Sequence, residues 1–291
     1  MLPELEGLMC GSEMARVMEM IHIIMDLASR ARYLQRPVHG AEQILIDAAK
    51  QGGNFCCFLG LEAEIEQEAG RFLLPLYSEL DHNPDNTALR AATYCLHGDV
   101  LKIAAAIDPT KYPMSQSLLQ RSRDASQGLP RWSTGYPNTR SLAIVAGHIN
   151  LSDAGFGKIA DLVEGDIEAG HIVPFKSVHS RDGLVEMHAV RFKALTNPRD
   201  AREALRHWDL YKKEWKHAEE TSGSHDEFRL RGEILKTKLA DANIFEHLGC
   251  DKGNAPLLLE GINTDVLRRA NGSGSPRVAA QAEKGIQKWR R

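Results

Sequence analysis

Four histidines fall within one segment of the sequence, between residues 148 and 188. They are His148, His171, His179 and His188, and Glu186 lies among them. Imidazole is the commonest metal ligand in proteins and a general base near neutral pH, so this set is typical of a metal-dependent hydrolase or nuclease. Under that alternative function, the catalytic candidates are His148, His179, Glu186 and His188.

A second interpretation of these histidines is ordinary polar surface, and the spacing favours it. The sequence has no HxH or HExxH pattern, no P-loop and no GxSxG elbow. The five cysteines, at positions 10, 56, 57, 95 and 250, form no CxxC pair and no disulfide framework. The sequence therefore favours a protein without a catalytic site, metal or cofactor, although the enzyme alternative stays open.

The C-terminal segment combines basic and aromatic residues. Lys284, Lys288, Arg290 and Arg291 surround Trp289. Such a mixture binds phosphates and stacks on a base, and these five residues are the predicted nucleic-acid-binding set. Basic residues also complement the dipole at the end of a helix, which is the competing explanation.

Formal charge is divided unevenly along the chain. Residues 1–100 contain 7 Lys and Arg against 15 Asp and Glu, a net of −8, and residues 101–291 contain 29 against 24, a net of +5. An acidic half and a basic half favour different partners. We expect the acidic helical half to contact another protein, and we keep nucleic acid as a second partner for the basic half.

Composition places the chain among globular proteins, with 43% hydrophobic and 26% charged residues. No apolar run approaches the roughly 20 residues of a membrane span, and the N-terminus lacks the pattern of a secretory signal. With its unpaired cysteines, the sequence predicts a cytoplasmic protein that has no membrane partner.

The elements that would position these residues begin with a helical N-terminal third. Apolar residues recur at three-and-four spacing, which predicts a bundle of four helices in an acidic domain over residues 1–110. Proline and glycine then accumulate, and residues 111–138 are predicted to form a linker or loop with one short helix.

The centre of the chain is predicted to combine one helix with one β-hairpin. The helix covers residues 152–170, two extended segments cover 171–180 and 184–195, and Arg181, Asp182 and Gly183 form the turn. This order, with segment 167–173 at the junction, resembles the second half of a winged-helix domain. The resemblance implies that the helix enters a DNA groove and the hairpin forms the wing.

Charge opposes the DNA-binding role that the resemblance implies. The helix over 152–170 has one lysine and five acidic residues, a net of −4, which phosphates would repel. A wing at this place would therefore contact protein. Further helices complete the domain over residues 139–270, and residues 271–291 form a flexible basic tail.

The predicted fold is therefore mainly α: an N-terminal bundle, a small central α+β segment and C-terminal helices. The expected function is that of a non-catalytic binding or regulatory protein of a bacterium or mobile element. It would act through protein–protein contacts and, as a second activity, through nucleic-acid binding.

Overall fold

The computed structural model of the chain describes residues 11–32, 40–58, 65–129, 139–168, 174–222, 232, 235, 236 and 238–247. These residues divide into two compact units, of which the first ends at Asn138 and the second begins at Thr139. No helix in the described part of the chain combines the length and hydropathy of a membrane-spanning segment.

The regular secondary structure described in the first unit is all helical. Its elements are α1 (Gly11–Arg32), α2 (Ala41–Phe58), α3 (Ile65–His82), α4 (Thr87–Ala104), a 3-10 turn (Pro109–Lys111) and α5 (Tyr112–Ala125). The segment predicted as a linker thus includes α5, a helix of 14 residues.

Apolar side chains at three-and-four spacing on α1 to α4 form one buried cluster, as the periodicity predicts. Two glycines of α2 let this helix approach both α3 and α4 closely. A Cβ on Gly52 would lie 2.1 Å from the ring of Phe72, and a Cβ on Gly53 would lie 2.1 Å from Leu96. Glycine often ends a helix, but α2 continues through Gly52 and Gly53 because their missing side chains make room for Phe72 and Leu96.

Two serine hydroxyls join α4 to α5. Ser115 Oγ donates to the carbonyl oxygen of Gly98, and Ser122 Oγ donates to that of Ala91, each at 2.7 Å. Because the later serine meets the earlier carbonyl, the two helices run antiparallel. Each buried hydroxyl thereby has a hydrogen-bond partner.

The regular secondary structure described in the second unit is also all helical. Its helices are α6 (Thr139–His148), α7 (Asp153–Glu168), α8 (Pro174–Leu195), α9 (Pro198–Ser222) and the short α10 (Ile244–His247). Helical residues also occur among 232, 235, 236 and 238–241. An apolar cluster from α8, α9 and residues 235–244, including Trp208 and Tyr211, forms the core of this unit.

The predicted β-hairpin over residues 171–195 is wrong, and so is the winged-helix-like segment. Residues 174–195 form the single helix α8, and no strand occurs in any described range. The three residues of the predicted turn, Arg181, Asp182 and Gly183, lie within this helix and make contacts with neighbouring helices. Arg181 and Asp182 form buried ion pairs, and Gly183 allows a close helix contact. The mainly α prediction is confirmed.

Helix α8 is buried between its neighbours, with α6 on one side. A Cβ on Gly183 would lie 2.8 Å from the carbonyl oxygen of Arg140, and one on Gly147 would lie 2.9 Å from that of Met187. These contacts show that α6 and α8 run in the same direction with their backbones nearly touching. The remaining sides of α8 face α7 and α9.

Candidate functional site

The corner between α8 and α9 has a defined backbone geometry. Thr196 adopts a φ of 54°, and its amide donates to the carbonyl oxygen of Phe192 at 2.7 Å, which closes α8. Asn197 Oδ1 then accepts from the amide of Arg199 at 3.0 Å, as an N-cap residue does. This corner places Asp200 in the first turn of α9 and turns α9 back along α8.

Asp200 and His188 form a buried pair within this corner. His188 Nδ1 lies 2.9 Å from Asp200 Oδ1, and only 4% of Asp200 and 5% of His188 is exposed. The carboxylate only accepts, so Nδ1 of His188 carries the proton of this hydrogen bond. Phe156 of α7 meets the His188 ring edge-on at 5.2 Å between centroids.

Arg191 connects this pair to α7. Its Nη2 donates to Asp153 Oδ1, and its guanidinium carbon lies 3.9 Å above the centre of the Phe156 ring. Its Nε lies 3.4 Å from Asp200 Oδ2, yet neither of these two buried atoms makes a hydrogen bond. Arg191 and Asp200 therefore attract each other through charge alone at this contact.

A second group of charged residues continues from α7 to α9. Arg181 Nε donates to Glu214 Oε1 at 2.9 Å, and its Nη1 lies 3.4 Å from Glu164 Oε1. Glu164 also accepts from Arg206 at 2.7 Å, and Arg206 Nε donates to Glu203 at 2.7 Å. Each guanidinium is thus held between two carboxylates, which compensates the burial of Arg181.

His207 lies fully buried between these two groups. Its ring stacks on that of His188 at 5.7 Å between centroids, and Arg206 Nη2 donates to its Nε2 at 3.0 Å. Burial lowers the pKa of His207 to about 2, and the charges of Arg206, His188 and Arg181 add to the effect. His207 is therefore neutral in the folded protein across the physiological range.

This neutrality makes the stability of the protein depend on pH. The unfolded chain protonates His207 below its ordinary pKa of 6.5, whereas the folded protein does not. The contribution of neutral His207 to the free energy of unfolding is therefore complete above pH 6.5 and is lost as the pH falls below that value. At about pH 5.5, His207 should lower the free energy of unfolding by about 1.4 kcal/mol relative to pH 8.

Urea unfolding of the wild type and of His207→Gln at both pH values measures this effect. Glutamine still accepts from Arg206 but does not titrate. The variant should therefore lose about 1.4 kcal/mol less than the wild type between pH 8 and pH 5.5. Equal losses in the two proteins would mean that His207 is protonated in the folded state.

The His188–Asp200 pair forms one wall of a cleft of about 320 Å³. Its lining residues come from α7, from the end of α8 and from the start of α9: Asp153, Phe156, Gly157, Ala160, Asp161, Glu164, His188, Arg191, Asn197, Arg199, Asp200, Glu203 and Arg206. This volume lies at the small end of the range for ligand pockets.

Of the four histidine-segment candidates, only His188 lines the cleft, and His148 lies near Glu186 instead. A strand over 184–195 would place Glu186 and His188 on one face, whereas around α8 they lie about 200° apart. His188 faces the cleft, whereas Glu186 bonds Lys238 Nζ at 2.5 Å. Partial desolvation lowers the pKa of His148, and nearby Glu186 offsets part of this shift. His179 lies on α8, two turns before Glu186.

Lys238 and its surroundings keep Glu186 ionised. Burial acts to raise the pKa of this carboxyl, but the charges of Lys238 and Arg140 outweigh it, and the pKa is lowered overall. A carboxylate bonded in this way holds α8 to its neighbours.

The described ranges contain no cluster of side chains that could bind a metal ion. No three His, Cys, Asp or Glu side chains there lie close enough to hold an ion. The predicted nucleic-acid set, Lys284, Lys288, Trp289, Arg290 and Arg291, lies outside the described residues, as does His171.

Sequence reasoning missed Asp200, Arg191 and His207 as parts of this site. The signal that would have found the first two is the helical spacing of Arg181, His188 and Arg191, which are seven and then three residues apart. That spacing places three polar side chains on one helix face, and His188 and Arg191 among them meet Asp200 in the first turn of the next helix.

The first unit carries a different surface feature on α1. Met20, Ile23, Ile24 and Leu27 are 58%, 53%, 41% and 60% exposed. Positions i, i+3, i+4 and i+7 lie on one face of a helix, so these side chains form a continuous apolar row, which we call the α1 row. The opposite face of α1, with Ile21 and Met25, is buried in the core.

Comparison with known proteins found no match to this chain, whether among family models, curated sequences or solved structures.

Proposed function

We propose that this chain is a non-catalytic binding or regulatory protein that acts through protein–protein contacts made by its first unit. The observation that supports this proposal is the α1 row. Isolated exposed apolar residues are common on proteins, but four on one helix face are typical of a surface that binds another protein. We assign the protein to the cytoplasm as part of the same proposal.

Charge supports a basic partner over a second copy of this chain. The first 100 residues carry a net charge of −8, so two copies meeting through this unit would repel each other. A helix with an apolar face and flanking lysines or arginines is complementary in both shape and charge. We therefore propose such a helix, on a different protein, as the occupant of the α1 row.

Site-specific photo-crosslinking in cells tests this proposal. A photoreactive residue replaces Leu27 in the α1 row, and in a control it replaces Gln67, which is exposed on α3. We expect one dominant adduct from Leu27 and none from Gln67. The purified partner should then bind the wild type at least about tenfold more tightly than Ile23→Glu, because a charge replaces an apolar contact at the centre of the row.

The Ile23→Glu variant should remain folded, since Ile23 is 53% exposed and outside the core. An adduct of the chain with itself, equal labelling from Gln67, or unchanged affinity of Ile23→Glu would each overturn the proposal.

Nucleic-acid binding by the basic second half is part of the proposal as a second contact. Its support is the net charge of +5 over residues 101–291 and the basic segment at 284–291. Titration of a labelled duplex at two salt concentrations tests it, and undetectable binding at low salt removes this part.

A second candidate function, hydrolysis by the central histidines, rests on one observation. The His188–Asp200 pair has the geometry in which a carboxylate orients an imidazole that accepts a proton. This candidate function would use the His188–Asp200 pair, whereas the sequence predicts His148, His179, Glu186 and His188 as the catalytic residues. Loss of a measured hydrolytic activity in His188→Gln would favour it over the binding function.

A further inference from the structure

The cleft in the second unit has an excess of acidic groups. Five carboxylates line it, from Asp153, Asp161, Glu164, Asp200 and Glu203, against three guanidinium groups. Two of these guanidinium groups, on Arg191 and Arg206, are each already held between two carboxylates. The potential in the cleft therefore favours a cation.

One carboxylate oxygen in the wall lacks a hydrogen bond. The Asp200 side chain is 5% exposed and its Oδ1 is bonded to His188, but its Oδ2 has no hydrogen-bond partner. A buried carboxylate oxygen without a donor is costly, and its contact with Arg191 Nε at 3.4 Å supplies charge without a hydrogen bond. A ligand N–H that replaced this contact would gain a charge-assisted hydrogen bond.

Arg191 itself has a second anchor at the cleft. Its Nη2 is held by Asp153, whose side chain is 88% exposed, and its guanidinium lies over Phe156. Arg191 therefore keeps two favourable contacts when its Nε withdraws from Asp200. When Arg191 Nε withdraws, a cationic ligand takes its place beside Asp200 Oδ2, so the buried carboxylate keeps a positive partner.

We propose that this cleft binds a small organic cation with N–H donors, a guanidinium or primary ammonium group, whose donor pairs with Asp200 Oδ2. Asp161 and Glu203 line the cleft and complement the remaining positive charge. The volume of about 320 Å³ accommodates such a head group together with a short apolar chain. This site lies in the second unit and does not depend on the α1 row.

Calorimetric titration of the full chain with agmatine, which carries both groups, tests the proposal. The N-acetylated tripeptide amide Gly-Arg-Gly, whose only charge is its guanidinium group, tests an arginine side chain as the source of the cation, and inorganic phosphate tests an anion. We expect one-to-one binding of agmatine or of the tripeptide, no binding of phosphate, and at least about tenfold weaker binding of the neutral citrulline analogue of the tripeptide. Tighter binding of agmatine would indicate a free small molecule as the ligand, and tighter binding of the tripeptide would indicate an arginine side chain of a peptide.

Asp200→Asn is the decisive variant because it keeps the shape of the side chain. Its amide oxygen still accepts from His188, while an NH₂ group replaces Oδ2 and opposes a donor. We expect at least about tenfold weaker binding of the cation by this variant. Asp209→Asn, an exposed change on the same helix outside the cleft, should bind as the wild type does.

Circular dichroism establishes whether Asp200→Asn is folded. If it is not, Asp161→Asn and Glu203→Gln take its place, and each should weaken cation binding severalfold because it removes one charge from the cleft wall. Absence of binding by both cationic probes at millimolar concentration, stronger binding of phosphate, or unchanged affinity in folded cleft variants would overturn the proposal.

Discussion

Replacing Gly183 with alanine is expected to lower the free energy of unfolding of the second unit by about 2 kcal/mol. The added methyl group would lie 2.8 Å from the carbonyl oxygen and 2.9 Å from the Cα of Arg140. Both atoms belong to the backbone of α6, so the helices must separate. This overpacking costs up to about 3 kcal/mol and exceeds the roughly 1 kcal/mol that alanine gains over glycine in a helix.

Hydrogen exchange of the α8 amides, combined with urea unfolding of the whole chain, measures this loss in the second unit. Gly165→Ala on α7 is the matched control, because a Cβ there has no atom within 4 Å. The control should raise stability by about 0.5–1 kcal/mol. If alanine at both positions stabilised the protein equally, α6 and α8 could not be in backbone contact.

Removal of the Arg181 guanidinium should have a still larger effect. Arg181→Met leaves Glu214 without the donor that binds its Oε1, while its Oε2 is already buried without a hydrogen bond. Breaking a buried ion pair by removing one partner typically costs about 3–5 kcal/mol. We therefore expect Arg181→Met to lower the free energy of unfolding of the second unit by about 3–5 kcal/mol. Arg181→Lys should lower it less, because lysine keeps the positive charge.

The double variant Arg181→Met with Glu214→Gln isolates the pair from general packing effects. It should recover part of the loss, since no unpaired charge remains near position 214. An exposed ion pair provides the comparison: Lys212 lies 2.8 Å from Asp209, with side chains 46% and 72% exposed. Lys212→Met should change stability by less than about 1 kcal/mol. If Arg181→Met also lowered the free energy of unfolding by less than about 1 kcal/mol, the ion pairs of Arg181 would contribute no more than an exposed pair does.

Helices with one apolar face were predictable from the sequence. The row Ile21, Met25 and Ala28 on α1 is buried, as its spacing predicts. The aromatic positions Trp208 and Tyr211 are also buried, as their spacing of three residues on α9 indicates. In both helices a single face meets the core, so the periodicity is visible in the sequence.

Helix α8 could not be predicted in the same way because nearly its whole circumference is buried. Val178, Leu184, Val185 and Met187 point to different neighbours, so no single apolar face exists and short alternating runs resemble strands. The polar group at 181–183 resembles a turn for a related reason. Its partners lie on α6, α7 and α9, distant in sequence, and local patterns contain no information about them.

The candidate site was predictable only in part for the same physical reason. His188 could be selected for its chemistry, but its partner Asp200 follows a helix corner whose geometry depends on one backbone angle at Thr196. A strand over 184–195 would bring His188 and Glu186 together on one face. The helix instead directs these two side chains to opposite sides.

The corner at Thr196 and Asn197 gives the spacer between His188 and Asp200 a fixed length. One additional residue in this spacer would rotate Asp200 by about 100° around α9 and shift it by about 1.5 Å, away from the imidazole. Related chains that keep the pair should therefore tolerate changes of residue type at the corner far better than insertions or deletions. The number of residues separating His188 from Asp200 is thus itself part of the architecture of the cleft.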